Sequence, residues 1–155
     1  PPEYSSGPIP RPGTVTAAAV LGYVEAGITL IPTILILIGL ASGDNNNANG
    51  SDLAFSWILV IAQVIGAALL IAGGVQIMGG KSRTLLVVGA ALEIVICLTW
   101  IIRIAAIDSG GIDIVDTGKG IVIGVGIFFA IMPTITLVMS LGGSTTQFLQ
   151  SRRGH

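Results

Sequence analysis

The stretch VTAAAVLGYVEAGITLIPTILILIGL, Val15 to Leu40, decides how the rest of the chain is read. It is apolar and exceeds the roughly 20 residues a helix needs to cross the hydrocarbon of a bilayer. One carboxyl, Glu25, sits near its middle. Three further stretches of the same kind follow, and one of them carries a second mid-span carboxyl, Glu93. The fold class read from this pattern is all-α: a four-transmembrane-helix bundle with helices at about 14–40, 53–78, 84–107 and 119–141.

Composition agrees. Of 155 residues, 52% are hydrophobic and 10% charged, where a soluble domain has about 25% charged residues. The formal net charge is −1 and aromatics make up 5%, so neither a basic field nor a stacking surface points to nucleic acid. Cys97 is the single cysteine, which excludes an internal disulfide and any Cys/His metal spacing. His155 stands alone at the end, with no ligand set around it. The first apolar run is longer than the core of a cleaved leader and is expected to anchor the chain. Pro1 in place of Met is compatible with a start lying upstream.

Residues 1–13, PPEYSSGPIPRPG, remove backbone donors and disfavour helix, so a flexible Pro-rich tail is expected. Its PxxP spacing also suits a reader of polyproline. The transmembrane domain then spans 14–143, and 144–155 form a basic C-terminal tail. Thr14 or Thr16 is placed to cap the first helix, and Pro32 favours a kink in it. The cluster ASGDNNNANGSD, residues 41–52, reads as a water-exposed turn; its Asn49-Gly50-Ser51 matches a glycosylation acceptor by a short and common pattern. Phe55 and Trp57 are interface anchors. Gly79 to Arg83 make a tight basic turn, and 108–118 a second polar loop. Phe148 and Leu149 beside Arg152 and Arg153 fit a short helix on an anionic surface or a disordered tail.

Basic residues mark the cytoplasmic side of a membrane protein. Arg11, Lys81, Arg83, Arg152 and Arg153 fall on the side holding both termini, which are therefore expected in the cytoplasm. The other side holds Arg103 and Lys119 among five aspartates.

At 100° per residue, Ala18, Gly22, Glu25, Thr29, Pro32 and Thr33 share a face of the first helix. Ala18, Gly22 and Ala26 form a small-residue row that admits a close neighbour, so Glu25 is expected in a helix–helix seam. On the third helix Gly89, Ala90, Glu93, Cys97 and Trp100 share a face. Counting about 1.5 Å per residue places Glu25 and Glu93 at nearly one depth, roughly 14–16 Å in. Gln63 of the second helix reaches a similar depth from the far side. GYVEAGITL around Glu25 and AALEIVICL around Glu93 also echo one another, as two parallel hairpins would.

A charge at mid-bilayer costs about 2.5–3.5 kcal/mol on insertion scales. Arg103 is ten positions from Glu93, about 15 Å along the same helix, too far to pair with it. The carboxyls are therefore expected to be largely neutral, or one ionised and hydrogen-bonded. Two readings follow. In the plainer one Glu25, Glu93 and Gln63 satisfy each other across helices, at about 0.6–2 kcal/mol per bond. In the other they form a proton or cation site, as intramembrane acids often do. The plainer one is preferred because four short-looped helices leave little room for alternating access, and no ionisable chain leads to either surface.

Gly120 and Gly124 on the fourth helix, and Gly126 with Ala130, are expected as packing rows. Thr134, Thr136 and Ser140 are expected to satisfy backbone freed by Pro133. Gly118-Lys119-Gly120 lacks the spacing and the Ser/Thr of a phosphate loop. Asp108, Asp113 and Asp116 miss the calcium-loop pattern. No catalytic constellation is present, and neither a catalytic residue nor a metal or cofactor site is expected.

The segment Arg11-Pro12-Gly13-Thr14-Val15-Thr16-Ala17-Ala18, a Pro-rich tail running into an Ala/Val-rich helix, resembles small four-helix membrane proteins of actinobacteria over about Arg11 to Gly143. The resemblance implies a bacterial inner (plasma) membrane and no reaction, cofactor or catalytic residue. The expected function is that of a non-catalytic accessory or scaffold subunit of a larger membrane complex, in contact with lipid and with other membrane subunits. The alternative is a small oligomeric proton- or cation-coupled transporter or channel, with a homo-oligomer as its partner state. Recruitment through the Pro-rich tail is a weaker third.

Overall fold

A computed structural model describes residues 9–42, 50–108 and 110–153. Residues 1–8 of the Pro-rich tail, Asp44, Asn49 of the glycosylation triplet and His155 lie outside the described residues. Every regular element among the described residues is a helix: α1 Gly13–Ala41, α2 Gly50–Met78, α3 Thr84–Ala105, α4 Asp113–Leu141 and α5 Gly143–Arg153. The first four are long and apolar enough to cross a membrane, as a multi-pass membrane protein requires. The 22 residues of α3 give about 33 Å, and 29 residues in each of the others about 44 Å, against roughly 30 Å of hydrocarbon.

The helix ends follow local chemistry. Pro12 precedes α1 in extended backbone and accepts from Val15 N–H at 3.1 Å. No side chain caps this start: Thr14 lies inside the helix and its hydroxyl meets Ser144 Oγ at 3.0 Å. Helix α2 closes in a Schellman turn. Lys81 N–H donates to Gln76 O at 3.0 Å and Gly80 N–H to Ile77 O at 3.1 Å, with Gly80 at φ +70°, a conformation glycine adopts without strain. Helix α4 begins at Asp113, six positions before the expected Lys119, because Asp113 and Asp116 in its first turn complement the N-terminal dipole. Arg103 does the same at the end of α3.

The two ends of the helix assembly are tied differently. At the turn end, α5 packs beside the α2–α3 turn. Arg83 Nη1 donates to Thr146 Oγ1 at 2.8 Å and lies 3.4 Å from Ser140 O, and the Arg152 guanidinium lies 5.6 Å from the Phe148 ring centre. At the opposite, loop end, Arg103 pairs with Asp52 at 3.2 Å and covers the Phe55 ring at 4.2 Å.

Helices α1 and α3 each pack along both α2 and α4, and touch one another only slightly. The tight core lies in the turn-end half: Val15, Ala18, Leu70, Ile77, Leu86 and Phe148 are all buried. Small residues make it dense. A Cβ on Gly22 would stand 2.9 Å from Leu86 Cδ1, and one on Gly73 would collide with the Leu86 backbone. The rest of the apolar surface points outward. Ile31, Ile34, Leu35 and Ile38 of α1 are more than half exposed, as side chains turned to lipid tails are. Among the described residues α4 buries only Pro133, Thr136 and Ser140.

Candidate functional site

In the loop-end half the helices separate around a cavity of about 420 Å³. Its floor, against the tight core, is polar: Glu25 and Thr29 of α1, Gln63 of α2 and Glu93 of α3 all line it. Its walls are apolar and aromatic, with Trp100 from α3 and Phe129 and Met132 from α4. Ile31, Val122 and Val125 line the cavity and are also exposed. The cavity therefore reaches the protein surface between α1 and α4.

The helical arithmetic for these side chains explains the floor. Glu25 and Thr29 are one turn apart on the buried face of α1, with Thr33 a further turn on. Glu93, Cys97 and Trp100 follow one another up the cavity face of α3. Glu25 and Glu93 are 5% and 4% exposed and Gln63 1%.

Their partners are hydroxyls, and they do not bond one another. Thr136 Oγ1 donates to Glu25 Oε1 at 2.6 Å and Thr29 Oγ1 donates to Glu93 Oε2 at 2.8 Å. Thr33 Oγ1 lies 3.0 Å from Gln63 Oε1 and 2.8 Å from Thr29 O, so one proton serves two acceptors. The Thr29–Glu93 bond joins α1 to α3 across the centre, and the Thr136–Glu25 bond joins α4 to α1. Each carboxyl thus has one oxygen held and one without a partner: among the described residues, Glu25 Oε2, Glu93 Oε1 and Trp100 Nε1 are buried and unpaired. Buried polar groups are ordinarily satisfied, because each unmade bond costs about 1–3 kcal/mol. Three unpaired atoms on residues of one cavity are a pattern that needs a cause.

Gly66 of α2 makes room for this arrangement. A Cβ there would stand 2.6 Å from Glu93 Oε1, so the carboxyl fits only against a glycine. The small row Ala18, Gly22 and Ala26 is buried in the core below. Gly120 and Gly124 are different. Both are exposed and a Cβ on either would meet nothing within 4 Å, so within this chain they are not packing positions. The α4 glycine that faces another helix is Gly126, where a Cβ would stand 3.0 Å from Ile101 Cγ1.

One assignment from sequence changes here. Thr136 spends its hydroxyl on Glu25, whereas Thr134 and Ser140 bond the carbonyls of Ala130 and Thr136 in their own helix. A polar row also leads from the floor toward the turn end: Glu25, Thr136 and Ser140, followed by Arg83 on the Ser140 carbonyl. Among the described residues no three His, Cys, Asp or Glu side chains are grouped as a metal ion needs. No protein-family model, no curated protein and no solved structure matches this chain.

Proposed function

We propose that this chain is a small membrane transporter or channel unit in which Glu25 and Glu93 carry a proton or a cation. The observation that supports it most directly is the half-satisfied pair: two buried carboxyls on one cavity floor, each with one oxygen held by a threonine and the other unpaired. Side chains serving only as interhelical glue would engage both oxygens, since nothing else in hydrocarbon offsets their cost. The cavity gives the floor access from one half of the molecule. The Thr136–Ser140 row gives it polar neighbours toward the other, in place of the missing ionisable chain.

The basic residues Arg11, Lys81, Arg83, Arg152 and Arg153 at the turn end favour a cytoplasmic location for both termini, and the resemblance carried by residues 11–18 favours a bacterial plasma membrane as the setting. Reconstitution into liposomes with an internal pH dye tests the reading. The Glu25→Gln, Glu93→Gln pair keeps a hydrogen-bonding amide at each place and cannot ionise. It is expected to remain helical and monodisperse while losing at least ten-fold of gradient-driven proton or cation flux. Equal flux in the parent and the pair would sink the proposal.

A second reading, a non-catalytic accessory subunit of a larger membrane complex, draws on α4. The exposed Gly120 and Gly124, flanked by exposed Ile121 and Val125, offer another helix a close approach that this chain does not use.

A further inference from the structure

We infer that the cavity is a binding site for a lipophilic protonated amine that also carries a hydrogen-bond acceptor. The inference deepens the proton- or cation-carrying reading and rests on it for the role of the two carboxyls. Four observations select this chemistry. First, the cavity of about 420 Å³ is of the size that takes a drug-like molecule, with mostly apolar walls and a few placed polar groups. That is too much apolar wall for a bare inorganic ion, which would leave it unfilled.

Second, each floor carboxyl keeps one oxygen without a partner, Glu25 Oε2 and Glu93 Oε1, on side chains at least nine-tenths buried; Glu93 Oε1 rests against Gly66, so a ligand engages the carboxyls by turning them toward the cavity. They call for a ligand that brings N–H donors and one positive charge. An ammonium group supplies both, whereas a quaternary ammonium supplies the charge alone. Third, Trp100 Nε1 is an unpaired donor on the same wall and calls for an acceptor higher on the ligand, while the Trp100 and Phe129 rings give a cation and its apolar body an aromatic surface. Fourth, the mouth is bordered by exposed Ile31, Val122 and Val125, side chains that face lipid in a membrane-spanning chain. Entry is thus from the bilayer, which selects a molecule that partitions there.

A proton on the carboxyls and an ammonium beside them neutralise the same site, so the two compete. The titratable groups lining the cavity are Glu25 of α1 and Glu93 and Cys97 of α3; its α2 and α4 walls contribute Gln63 and apolar residues. Lowering the pH therefore weakens amine binding through the carboxyls.

The two tryptophans are Trp57 and Trp100, and Trp57 is outside the cavity lining, so a Trp57→Phe chain reports from the site alone. That chain, in phosphatidylcholine nanodiscs, is titrated with 4-(4-methoxyphenyl)butylamine, whose ether oxygen is the acceptor, with its trimethylammonium analogue and with the uncharged 4-(4-methoxyphenyl)butanol, following Trp100 emission. The amine is expected to saturate at a concentration at least ten-fold below the alcohol and several-fold below the quaternary analogue. Its affinity should fall at least ten-fold in the Glu25→Gln, Glu93→Gln pair and weaken as pH is lowered. Val125→Phe, which fills the mouth and leaves the carboxyls intact, should also weaken it and decides the matter if the Gln pair misfolds.

Amine and alcohol titrating alike, or an unchanged affinity in both variants, would overturn the inference. If amine binding fails while the Gln pair still abolishes proton flux, the ligand class is wrong and the transport reading stands. If carboxyl-dependent binding is found with unchanged flux, the site stands and transport falls.

Discussion

Each carboxyl on the cavity floor depends on a single hydroxyl, and that makes the site sensitive at the level of individual atoms. Glu93 is held by Thr29 on one side and by the absence of a side chain at Gly66 on the other. Adding a methyl group at Gly66 drives the carboxyl away from its place, which breaks the Thr29 bond or crowds the α2–α3 contact. We expect Gly66→Ala to destabilise the folded state by about 1–3 kcal/mol, the cost of leaving a buried polar group unmade. In a Glu93→Ala background the obstructing oxygen is gone, and the same methyl should cost little. A double-mutant cycle on denaturant unfolding in detergent measures the difference; strictly additive effects would show that Gly66 and Glu93 do not meet. Counting 1.5 Å per residue was enough to bring Glu25, Glu93 and Gln63 to one layer, and all three line one cavity. Their partners were not legible. Thr136 is five positions from the end of α4, about 8 Å, whereas Glu25 is twelve positions into α1, about 18 Å. Helical side chains lean toward their own N-terminus, which carries the Glu25 carboxyl down toward Thr136. Depth counting at the Cα does not include that lean.

Element boundaries were legible where apolarity defined them and not where polar residues continue a helix. The first turns of α4, Asp113 to Gly118, read as loop because they are polar, yet their aspartates stabilise a helix start. The sequence of α5 fits a surface helix and a disordered tail alike for a related reason: it shows Phe148 and Leu149 but not what covers them. In the structure they join Val15, Ile77 and Leu86 in one core, and Arg152 lies against Gly80, where a Cβ would stand 2.7 Å from its Cγ. Phe148 is 1% exposed, so truncation removes about 3–5 kcal/mol of packing, more than a short helix holds by its few hydrogen bonds. Phe148→Ala should therefore release α5 while α1 to α4 remain assembled. Limited trypsin digestion is the check: cleavage at Arg152 and Arg153 should rise at least ten-fold over the parent, with the helical circular dichroism of the spans kept. Unchanged cleavage would mean that Arg83, through Thr146 and Ser140, holds α5 without the ring.

For the whole molecule, the two halves of the helix assembly do different work. The turn-end half is filled by small residues in close approach, and the loop-end half keeps a cavity above two carboxyls. Among the described residues α4 has little buried surface of its own, and the part that bounds the cavity mouth also carries exposed Gly120 and Gly124. Lipid tails or another helix must cover that face, and the two choices respond differently to bulk. Leucine at both glycines adds helix propensity, about 1 kcal/mol per residue relative to glycine, and meets nothing within this chain. If lipid covers the face, Gly120→Leu with Gly124→Leu leaves a monomer that is as stable as the parent or more so. If a second copy or another subunit packs there, two leucine side chains prevent the close approach that a glycine row permits. The transporter reading with an α4-mediated homo-oligomer then predicts a shift from oligomer to monomer in mild detergent, read by mass photometry. The accessory reading predicts loss of co-purifying chains, with this polypeptide left at its own mass. A parent that is monomeric and free of companions, with a variant indistinguishable from it, would leave α4 facing lipid. The cavity mouth beside it would then be open along its full length to molecules dissolved in the bilayer, the route by which a lipophilic amine would reach Glu25 and Glu93.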